Sequence, residues 1–280
     1  MKQVTGERPV ALVTGASSGF GMLTAIALAE AGYHVVATMR ALYKNGELLE
    51  RAAAAGVSER MEYAELDVTR PDQIEGVVSG VIAQYGRIDA LVNNAGYAVM
   101  GMVEEVPMSD WRAQLETNFF GTLALTKTVV PHMRGRRSGT IVNVSSGAGR
   151  MGFPNTGAYS ASKFAVEGFS EALRFELLPF GVRVVLIEPG TFNTGIAAKH
   201  VYHEAEDSPY APMIRSFRSF NEKAESKGND PAIVARTIVR AVQSRKPRVR
   251  YVCGADAKSI VFMKTMLPWA WIERVVAKML

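Results

Sequence analysis

The chain has 280 residues, of which 48% are hydrophobic and 21% are charged, and its formal net charge at pH 7 is +5. Its single cysteine, Cys253, excludes an internal disulfide framework and a cysteine metal cluster. The stretch MKQVTGERPVALVTG lacks the apolar core of a signal peptide, and no uncharged apolar run approaches the ~20 residues that cross a bilayer. We therefore expect a cytoplasmic protein. The densest basic run, RKPRVR at 245–250, is interpreted as a solvated loop leading into a strand, so no nucleic-acid partner is predicted.

Short apolar strands alternate with helical segments from the N-terminus onward. Strands are predicted at 9–15, 34–39, 61–69, 88–96, 139–146 and 182–190, and helices at 22–32, near 44–56 and at 70–86. This alternation predicts a doubly wound parallel sheet with helices on both faces. No linker or internal repeat divides the chain, which predicts one domain over residues 1–280.

Two segments depart from this alternation. Residues 191–229 separate a strand end from a helix that Asp230 and Pro231 begin, and they lie where ligands bind in open α/β sheets. We interpret them as a substrate lid. The C-terminal extension, 255–280, ends in PWAWIERVVAKML, which has an apolar helical stripe. The stripe consists of Ile272, Val275, Val276, Met279 and Leu280. We expect it to pack against its own protein, with a subunit or membrane-surface contact as the alternatives.

A glycine-rich loop, TGASSGFG, lies between the first strand and the first helix. Gly15, Gly19 and Gly21 let the backbone turn sharply and let a pyrophosphate approach the helix N-terminus, where free N–H groups favour anions. The spacing is a variant of the usual dinucleotide fingerprint. It predicts a nucleotide site.

The stretch YSASK places Tyr159 and Lys163 four positions apart, and therefore on one face of a helix. The pair is either an exposed amphipathic turn or a tyrosine made acidic by its lysine. A cation at ~4 Å in an effective dielectric of ~20 contributes about 4 kcal/mol, or roughly 3 pKa units. Lys163 therefore suffices in magnitude to bring the pKa of Tyr159 near roughly 7, with help from an oxidised nicotinamide.

These motifs occur in a familiar order: TGASSGFG, NNAG at 93–96, Asn118, VNVSS at 142–146, YSASK and PGTFNT at 189–194. The joint pattern resembles the short-chain dehydrogenases/reductases over roughly residues 8–195. Phe20 and the tail RYVCGADA further resemble hydroxysteroid and retinol dehydrogenase-like members. The resemblance implies a Rossmann-type fold and an oxidoreductase acting on CH–OH and C=O groups.

The resemblance also implies which residues hold the cofactor. Asp67 is expected at the adenine amino group, Asn94 at the adenosine ribose and Thr194 at the nicotinamide carboxamide, although Asp67 is alternatively a helix-capping residue. The full predicted set is Gly15, Ser17, Ser18, Gly19, Phe20, Gly21, Arg40, Asp67, Val68, Asn94, Ala95, Gly96, Tyr159, Lys163, Pro189, Gly190, Phe192 and Thr194.

The second strand favours NADP(H) over NAD(H). Met39 stands where NAD-using relatives commonly carry Asp, and Arg40 follows it. A guanidinium accommodates a 2′-phosphate, whereas a carboxylate repels it. The alternative is that Arg40 is a solvated residue at the start of a loop.

Four residues match the catalytic positions of the resembled family. Tyr159 is the expected acid and base, and Lys163 is the expected cation beside it. In the resembled family the serine that holds the substrate carbonyl lies 13 positions before the tyrosine, which implies Ser146 rather than Ser145 here. Asn118 is expected to hold a water linked to the lysine, unless it simply kinks a helix. No metal site is predicted, although His200 and His203 lie three apart near acids.

The predicted substrate is a hydrophobic ketone, aldehyde or secondary alcohol. Apolar residues near the motifs support this: Val99, Met100, Met102, Met151, Phe153 and Phe192. These side chains are alternatively ordinary core residues. A protein that binds NADP(H) without turnover is the competing function, and a homodimer or homotetramer through helices near 110–134 and 156–178 is expected by resemblance.

Overall fold

The computed structural model describes residues 8–193, 200–226 and 228–278, with side chains described outside 220–226. The strands are β1 (Val10–Val13), β2 (His34–Met39), β3 (Met61–Glu65), β4 (Ala90–Asn93), β5 (Val99–Met100), β6 (Gly139–Val144), β7 (Val182–Pro189), β8 (Val201–Tyr202) and β9 (Arg250–Cys253). The helices are α1 (Gly19–Glu30), α2 (Gly46–Ala54), α3 (Pro71–Tyr85), α4 (Met108–Leu115), α5 (Thr122–Gly135), α6 (Gly157–Leu177), α7 (Ala211–Ser226), α8 (Ala232–Gln243), α9 (Ala255–Met266) and α10 (Trp269–Ala277).

Seven strands form one parallel sheet in the order β3-β2-β1-β4-β6-β7-β9. This confirms the predicted doubly wound Rossmann-type architecture. The strand order reverses between β1 and β4, and the carboxyl ends of both strands open on the same edge of the sheet. Crevices at such a reversal are the usual ligand sites of open α/β sheets.

Apolar side chains cover both faces of the sheet. On one face, α1 and α8 contribute residues such as Leu28 and Ile238 to a buried cluster. On the other, α3 and α5 contribute residues such as Ile74 and Leu125. Burial on both faces explains why the central strands are continuous runs of Val, Leu and Ile rather than alternating patterns.

A second, two-stranded sheet joins the segment after β4 to the predicted lid segment. Val99 pairs with Val201 and Met100 with Tyr202. The lid segment also contains α7. No helix among the described residues combines the length and apolarity that a transmembrane span needs.

Candidate active site

The glycine loop packs tightly against the end of β4. Gly15 has a φ of +65°, and a Cβ on Gly21 would lie 2.3 Å from the Gly15 oxygen and 2.4 Å from Asn94 Nδ2. Neither position tolerates a larger residue. The loop opens into the first turn of α1, and the backbone N–H groups of that turn suit an anionic phosphate. The residues present therefore fit a dinucleotide.

Asn94 holds the glycine loop by its side chain. Its Nδ2 donates to the carbonyl oxygens of Thr14 at 2.9 Å and Gly15 at 3.2 Å. The Thr14 hydroxyl accepts from the backbone N of Asn94 and of Ala95, each at 3.0 Å. The NNAG motif thus shapes the loop, in addition to its expected place near the adenosine ribose.

Arg40 follows β2 directly and is exposed, whereas Met39 before it is buried. The pKa of the Tyr97 hydroxyl is raised by burial and by the negative charge of Asp110. The positive charge of Arg40 opposes this increase. Tyr97 comes directly after NNAG. Arg40 therefore lies at the carboxyl edge of the sheet, where the 2′-phosphate site is predicted.

The carboxylate of Asp67 is engaged locally. Its Oδ1 accepts from the backbone N of Thr69 at 2.9 Å and from the Thr69 hydroxyl at 2.8 Å. The backbone N of Asp67 donates to Gln73 Oε1 at 2.7 Å. The Asp67 side chain therefore forms a local turn, whereas the N-cap of α3 is Arg70, so Asp67 is not the helix-capping residue of the alternative interpretation. Val68 beside it is buried.

The two serines after β6 point to different partners. The Ser146 hydroxyl lies beside Tyr159 and lowers the pKa of its phenol, and the Ser146 Oγ accepts from the backbone N of Ala148 at 3.1 Å. Ser145 is buried against Glu167 and lowers the pKa of that carboxyl. The structure thus brings Ser146, and not Ser145, to the predicted acid and base.

Tyr159 and Lys163 lie together on α6. The Lys163 Nζ is 5.7 Å from the centroid of the Tyr159 ring and donates to the Val144 carbonyl oxygen at 2.9 Å. Burial lowers the pKa of Lys163 from 10.5 to about 8, opposed by the charge of Glu167.

Burial also determines the direction of the pKa shift of Tyr159 in the protein without cofactor. It raises the pKa of this phenol above 10.0, and the hydrogen bond from Ser146 only partly offsets the increase. The sequence-based argument counted the attraction of Lys163 and of an oxidised nicotinamide but not the cost of placing a phenolate in a buried site. The role of Tyr159 as acid and base stays a prediction.

Asn118 lies in a π-helical turn, Glu116–Gly121, between α4 and α5. Its Oδ1 accepts from the backbone N of Tyr97 at 3.2 Å, and its Nδ2 donates to the Tyr97 oxygen at 3.0 Å. Its Nδ2 also donates to the Ser162 hydroxyl on α6 at 3.2 Å. The amide therefore joins the loop after β4 to the helix that carries Tyr159 and Lys163. Single π turns inside α-helices often accompany functional sites.

A buried ionic network lies behind Lys163, and the sequence did not predict it. Arg250 Nε lies 2.9 Å from Glu167 Oε2 and 3.0 Å from Glu188 Oε1. Arg150 Nη1 lies 3.0 Å from the same Glu188 oxygen. Glu188 is fully buried and Glu167 nearly so. A glutamate inside an apolar strand, as in VVLIEPG, is the one sequence signal that pointed here.

The turn after β7 is held by the start of α9. Asp256 Oδ2 accepts from the backbone N of Thr191 at 2.5 Å, and a Cβ on Gly190 would lie 2.1 Å from Asp256 Oδ1. Phe192 is buried edge-on against Phe20, with ring centroids 5.4 Å apart. Phe192 is thus fixed beside Phe20 of the glycine loop, and the turn before it is fixed by Asp256. Thr194 lies outside the described residues.

The predicted substrate residues surround the start of α6 but differ in burial. Gly101 pairs with Thr156, which places β5 and Met102 beside the helix that carries Tyr159. Val99 packs in a small cluster with Val106 and Ala158, so it has the core role that the sequence left open. Met100, Met102, Met151 and Phe192 are also buried, and Phe153 is half-buried.

The histidines of the lid segment have separate contacts. His203 Nε2 lies 2.6 Å from Asp110 Oδ2, and His200 Nδ1 lies 3.3 Å from the Tyr202 hydroxyl. Among the residues that the structure describes, no group of three or more His, Cys, Asp or Glu side chains is arranged to hold a metal ion.

Known proteins resemble the chain over nearly its whole length. An uncharacterised oxidoreductase of Bacillus subtilis, YusZ, is 41% identical and covers 98% of this chain and 99% of its own. A 3-ketodihydrosphingosine reductase of Bacteroides thetaiotaomicron is 38% identical, and the match covers 88% of this chain and 87% of the reductase. The retinol dehydrogenase 8 of Bos taurus is 36% identical, with coverage of 92% and 85%.

Solved structures agree with this fold. A short-chain dehydrogenase from Streptomyces avermitilis superposes with a TM-score of 0.83 at 36% identity, covering 98% of this chain and 95% of that one. The protein ElxO, solved with NADP bound, superposes with a TM-score of 0.75 at 25% identity, covering 90% and 98%. The model of the short chain dehydrogenase family matches residues 9–205. The chain therefore belongs to the short-chain dehydrogenase/reductase family, and is an oxidoreductase of CH–OH and C=O groups that uses a nicotinamide cofactor.

Proposed function

We propose that this protein is an NADP(H)-dependent enzyme that interconverts a hydrophobic ketone or aldehyde and its alcohol, with Tyr159 as acid and base. One observation carries the proposal. The Ser146 hydroxyl lies close enough to Tyr159 to lower the pKa of its phenol, and the Lys163 Nζ lies 5.7 Å from the centroid of the Tyr159 ring. We further propose that residues 191–229 cover the substrate as a lid.

Each side chain has a distinct task in carbonyl reduction. The bound nicotinamide supplies the hydride. Ser146 donates a hydrogen bond to the carbonyl oxygen and stabilises its developing negative charge. Tyr159 gives its hydroxyl proton to that oxygen, which completes the alcohol, and the positive charge of Lys163 stabilises the phenolate that remains. In the oxidation, the phenolate accepts the alcohol proton. Asn118 holds the Tyr97 backbone and α6 in register.

The pKa shifts of the chain alone suit the reducing direction. With no bound cofactor charge, burial keeps the pKa of Tyr159 raised, so the phenol is protonated at neutral pH and is ready to act as an acid. Oxidation needs the phenolate, and a positively charged nicotinamide beside the tyrosine favours that form.

Arg40 supports NADP(H) over NAD(H). The residue follows β2 and is exposed, so its planar guanidinium is free of burial and suited to bidentate contact with a 2′-phosphate. ElxO binds NADP, and the fold of this chain superposes on it.

The names of two relatives agree with an apolar substrate. One acts on 3-ketodihydrosphingosine and another on retinol, both of which carry long hydrocarbon chains. In this chain, Met102 and Phe153 lie beside the start of α6 and give the site apolar walls. Methionine adapts to irregular hydrophobic ligands.

The test is consumption of NADPH by the purified chain with a panel of carbonyls, from small polar aldehydes to steroids, retinal and long-chain ketones. We expect turnover biased toward the bulky apolar compounds. Tyr159→Phe is expected to lower kcat by about 10²-fold or more while NADPH still binds, as measured by its fluorescence. Ser145→Ala is the matched control, because it removes the neighbouring hydroxyl.

A panel that yields turnover only with small polar carbonyls or sugars would overturn the substrate class. NADPH binding without turnover of any compound, in wild type and Tyr159→Phe alike, would favour the alternative of a binding protein that senses the cofactor.

A further inference from the structure

The helices α9 and α10 leave large apolar side chains exposed together. All of residues 255–278 are described, and within them the buried side chains are Ala257 and Ile272. We call the remaining apolar surface the C-terminal face. It consists of Phe262 (61% exposed), Met266 (64%), Trp269 (54%), Trp271 (59%) and Val275 (43%). Contiguous exposed apolar residues of this size mark interaction surfaces.

Helical spacing groups four of these side chains in two pairs. Phe262 and Met266 lie four positions apart on α9, and Trp271 and Val275 lie four apart on α10, so each pair shares one side of its helix. Phe262 and Met266 also line a hollow of about 340 Å³ together with Val252 of the edge strand β9. The expectation that the apolar stripe of α10 packs against its own protein is therefore wrong for Val275. Among the described residues of that stripe Ile272 is buried and Val276 is half-buried, whereas Met279 and Leu280 lie outside the described residues.

Positive charges surround the C-terminal face. The basic residues of this segment are Lys258, Lys264, Arg274 and Lys278, against two acids, Asp256 and Glu273. Asp256 is directed inward to Thr191, which leaves Glu273 as the exposed acid of the segment. Lys264 Nζ lies 4.2 Å from the centroid of the Trp269 ring. Tryptophan beside lysine is the usual composition at a membrane–water interface, where the ring enters the lipid and the cation meets the phosphates.

We propose that the C-terminal face binds the surface of an anionic phospholipid membrane. Short amphipathic helices with Trp and Phe on one side and Lys or Arg around them lie in the interface plane without crossing it. The self-association predicted from the family uses other surfaces, near 110–134 and 156–178, and there Phe120, Phe164 and Phe175 are exposed. The basic surround therefore favours a lipid rather than a second copy of this chain as the occupant.

The position of α9 gives the contact a consequence for the enzyme. Ile260 Cδ1 would lie 3.4 Å from a Cβ on Gly147, the residue after Ser146. The inner side of α9 thus touches the turn that carries the predicted substrate-binding serine, and its outer side is the C-terminal face. If the proposed apolar substrate holds, the same contact brings the site near a lipid in which such a substrate dissolves.

The experiment is co-sedimentation of the full chain with vesicles of phosphatidylcholine alone and of phosphatidylcholine mixed with phosphatidylglycerol. We expect binding to the anionic vesicles that weakens as salt rises. A Trp269→Ser, Trp271→Ser double variant is expected to lose about tenfold or more of the partition coefficient. Both side chains are exposed, so the variant should fold. Tyr43→Ser is the matched control, because Tyr43 is 84% exposed and lies outside the C-terminal face and the predicted self-association surfaces.

A second variant separates the charge from the apolar contact. Lys258→Gln with Lys278→Gln is expected to reduce binding to the anionic vesicles and to leave any residual binding to neutral ones unchanged. The molecular mass of each protein is measured by light scattering without lipid. Three outcomes overturn the proposal: no binding to either vesicle, equal binding by the Trp variant, or a fall in oligomer mass caused by the Trp substitutions, which would make the face a contact between copies.

Discussion

Lys163 donates its ammonium hydrogen bond to the Val144 carbonyl oxygen, 2.9 Å away, from inside the protein. The amine is thereby fixed between the end of β6 and the face of Tyr159. The same burial lowers the pKa of Lys163 to about 8. Holding a cation at this place therefore costs stability, as is common where a residue serves catalysis.

The cost has a defined pH dependence. Because the folded pKa is about 8 and the unfolded value is 10.5, the folded state binds fewer protons between those limits. The free energy of unfolding should rise with pH across this window, and the penalty, about 3 kcal/mol, should be fully present below pH 8.

Lys163→Met tests this directly. Urea unfolding at pH 7 and pH 10 measures the free energy of unfolding of wild type and variant. We expect the value of wild type minus that of the variant to be larger at pH 10 than at pH 7. A difference that does not change with pH would show that the amine is not desolvated as described. The variant should also lose nearly all turnover.

Arg40 should set the cofactor preference. Arg40→Ala is expected to lower kcat/KM for NADPH by about tenfold or more and to leave NADH little changed, because the lost contact is with the 2′-phosphate. Steady-state kinetics with both cofactors measure it. Arg51→Ala is the control, since Arg51 is an exposed arginine on α2 that pairs with Glu47. An unchanged NADPH/NADH ratio would make Arg40 a solvated surface residue.

Asp256 should act on cofactor affinity from outside the cofactor site. Its carboxylate holds the backbone of Thr191, in the turn that precedes the expected nicotinamide contact Thr194. Asp256→Ala is expected to raise the KM for NADPH several-fold with a smaller effect on kcat, whereas Asp256→Asn keeps an acceptor oxygen and should restore much of the affinity. Equal KM values in wild type and both variants would contradict the coupling.

Arg250 should stabilise the protein far more than a surface arginine. It neutralises Glu167 and Glu188, and its removal leaves two buried carboxylates with less compensation. Arg250→Met is expected to cost about 3–5 kcal/mol in urea unfolding at neutral pH. Part of this loss should recover as the pH falls and the carboxylates take up protons.

A matched control exists on α8. Arg236 pairs with Asp230 at 3.3 Å, and both side chains are more than half exposed. Arg236→Met should cost about 1 kcal/mol or less. Equal losses in the two variants would mean that the network around Arg250 is solvated.

The parallel sheet and much of the site could be predicted because their signals are local. Buried strands are continuous apolar runs, and Ser146, Tyr159 and Lys163 were identified by their match to the motifs of the resembled family. The sheet β5–β8 gave no such signal, since Val201 and Tyr202 are two exposed residues in a polar segment. The contact of Asp256 with Thr191 depends on β9 lying beside β7, which no spacing in the sequence expresses.

The electrostatic environment of the site was also not predictable from the sequence alone. The attraction between Tyr159 and Lys163 can be estimated from their spacing, whereas the desolvation that outweighs it depends on how deeply α6 is packed. Likewise, periodicity identified the apolar stripe of α10, but only the fold reveals that Trp271 and Val275 lie on the side away from the protein.

The π turn at Glu116–Gly121 has a geometric consequence for the whole helical segment from α4 to α5. A π turn accommodates one more residue than an α turn, and each residue of an α-helix turns the chain by about 100°. Without this extra residue, the side chains on one side of the turn would rotate by that angle relative to those on the other. The insertion lets Asn118 face Tyr97 and Ser162 while Leu125 and Val129, further along, still face the sheet. One additional backbone position thus lets the same helical segment direct Asn118 toward the candidate active site and its apolar residues toward the core.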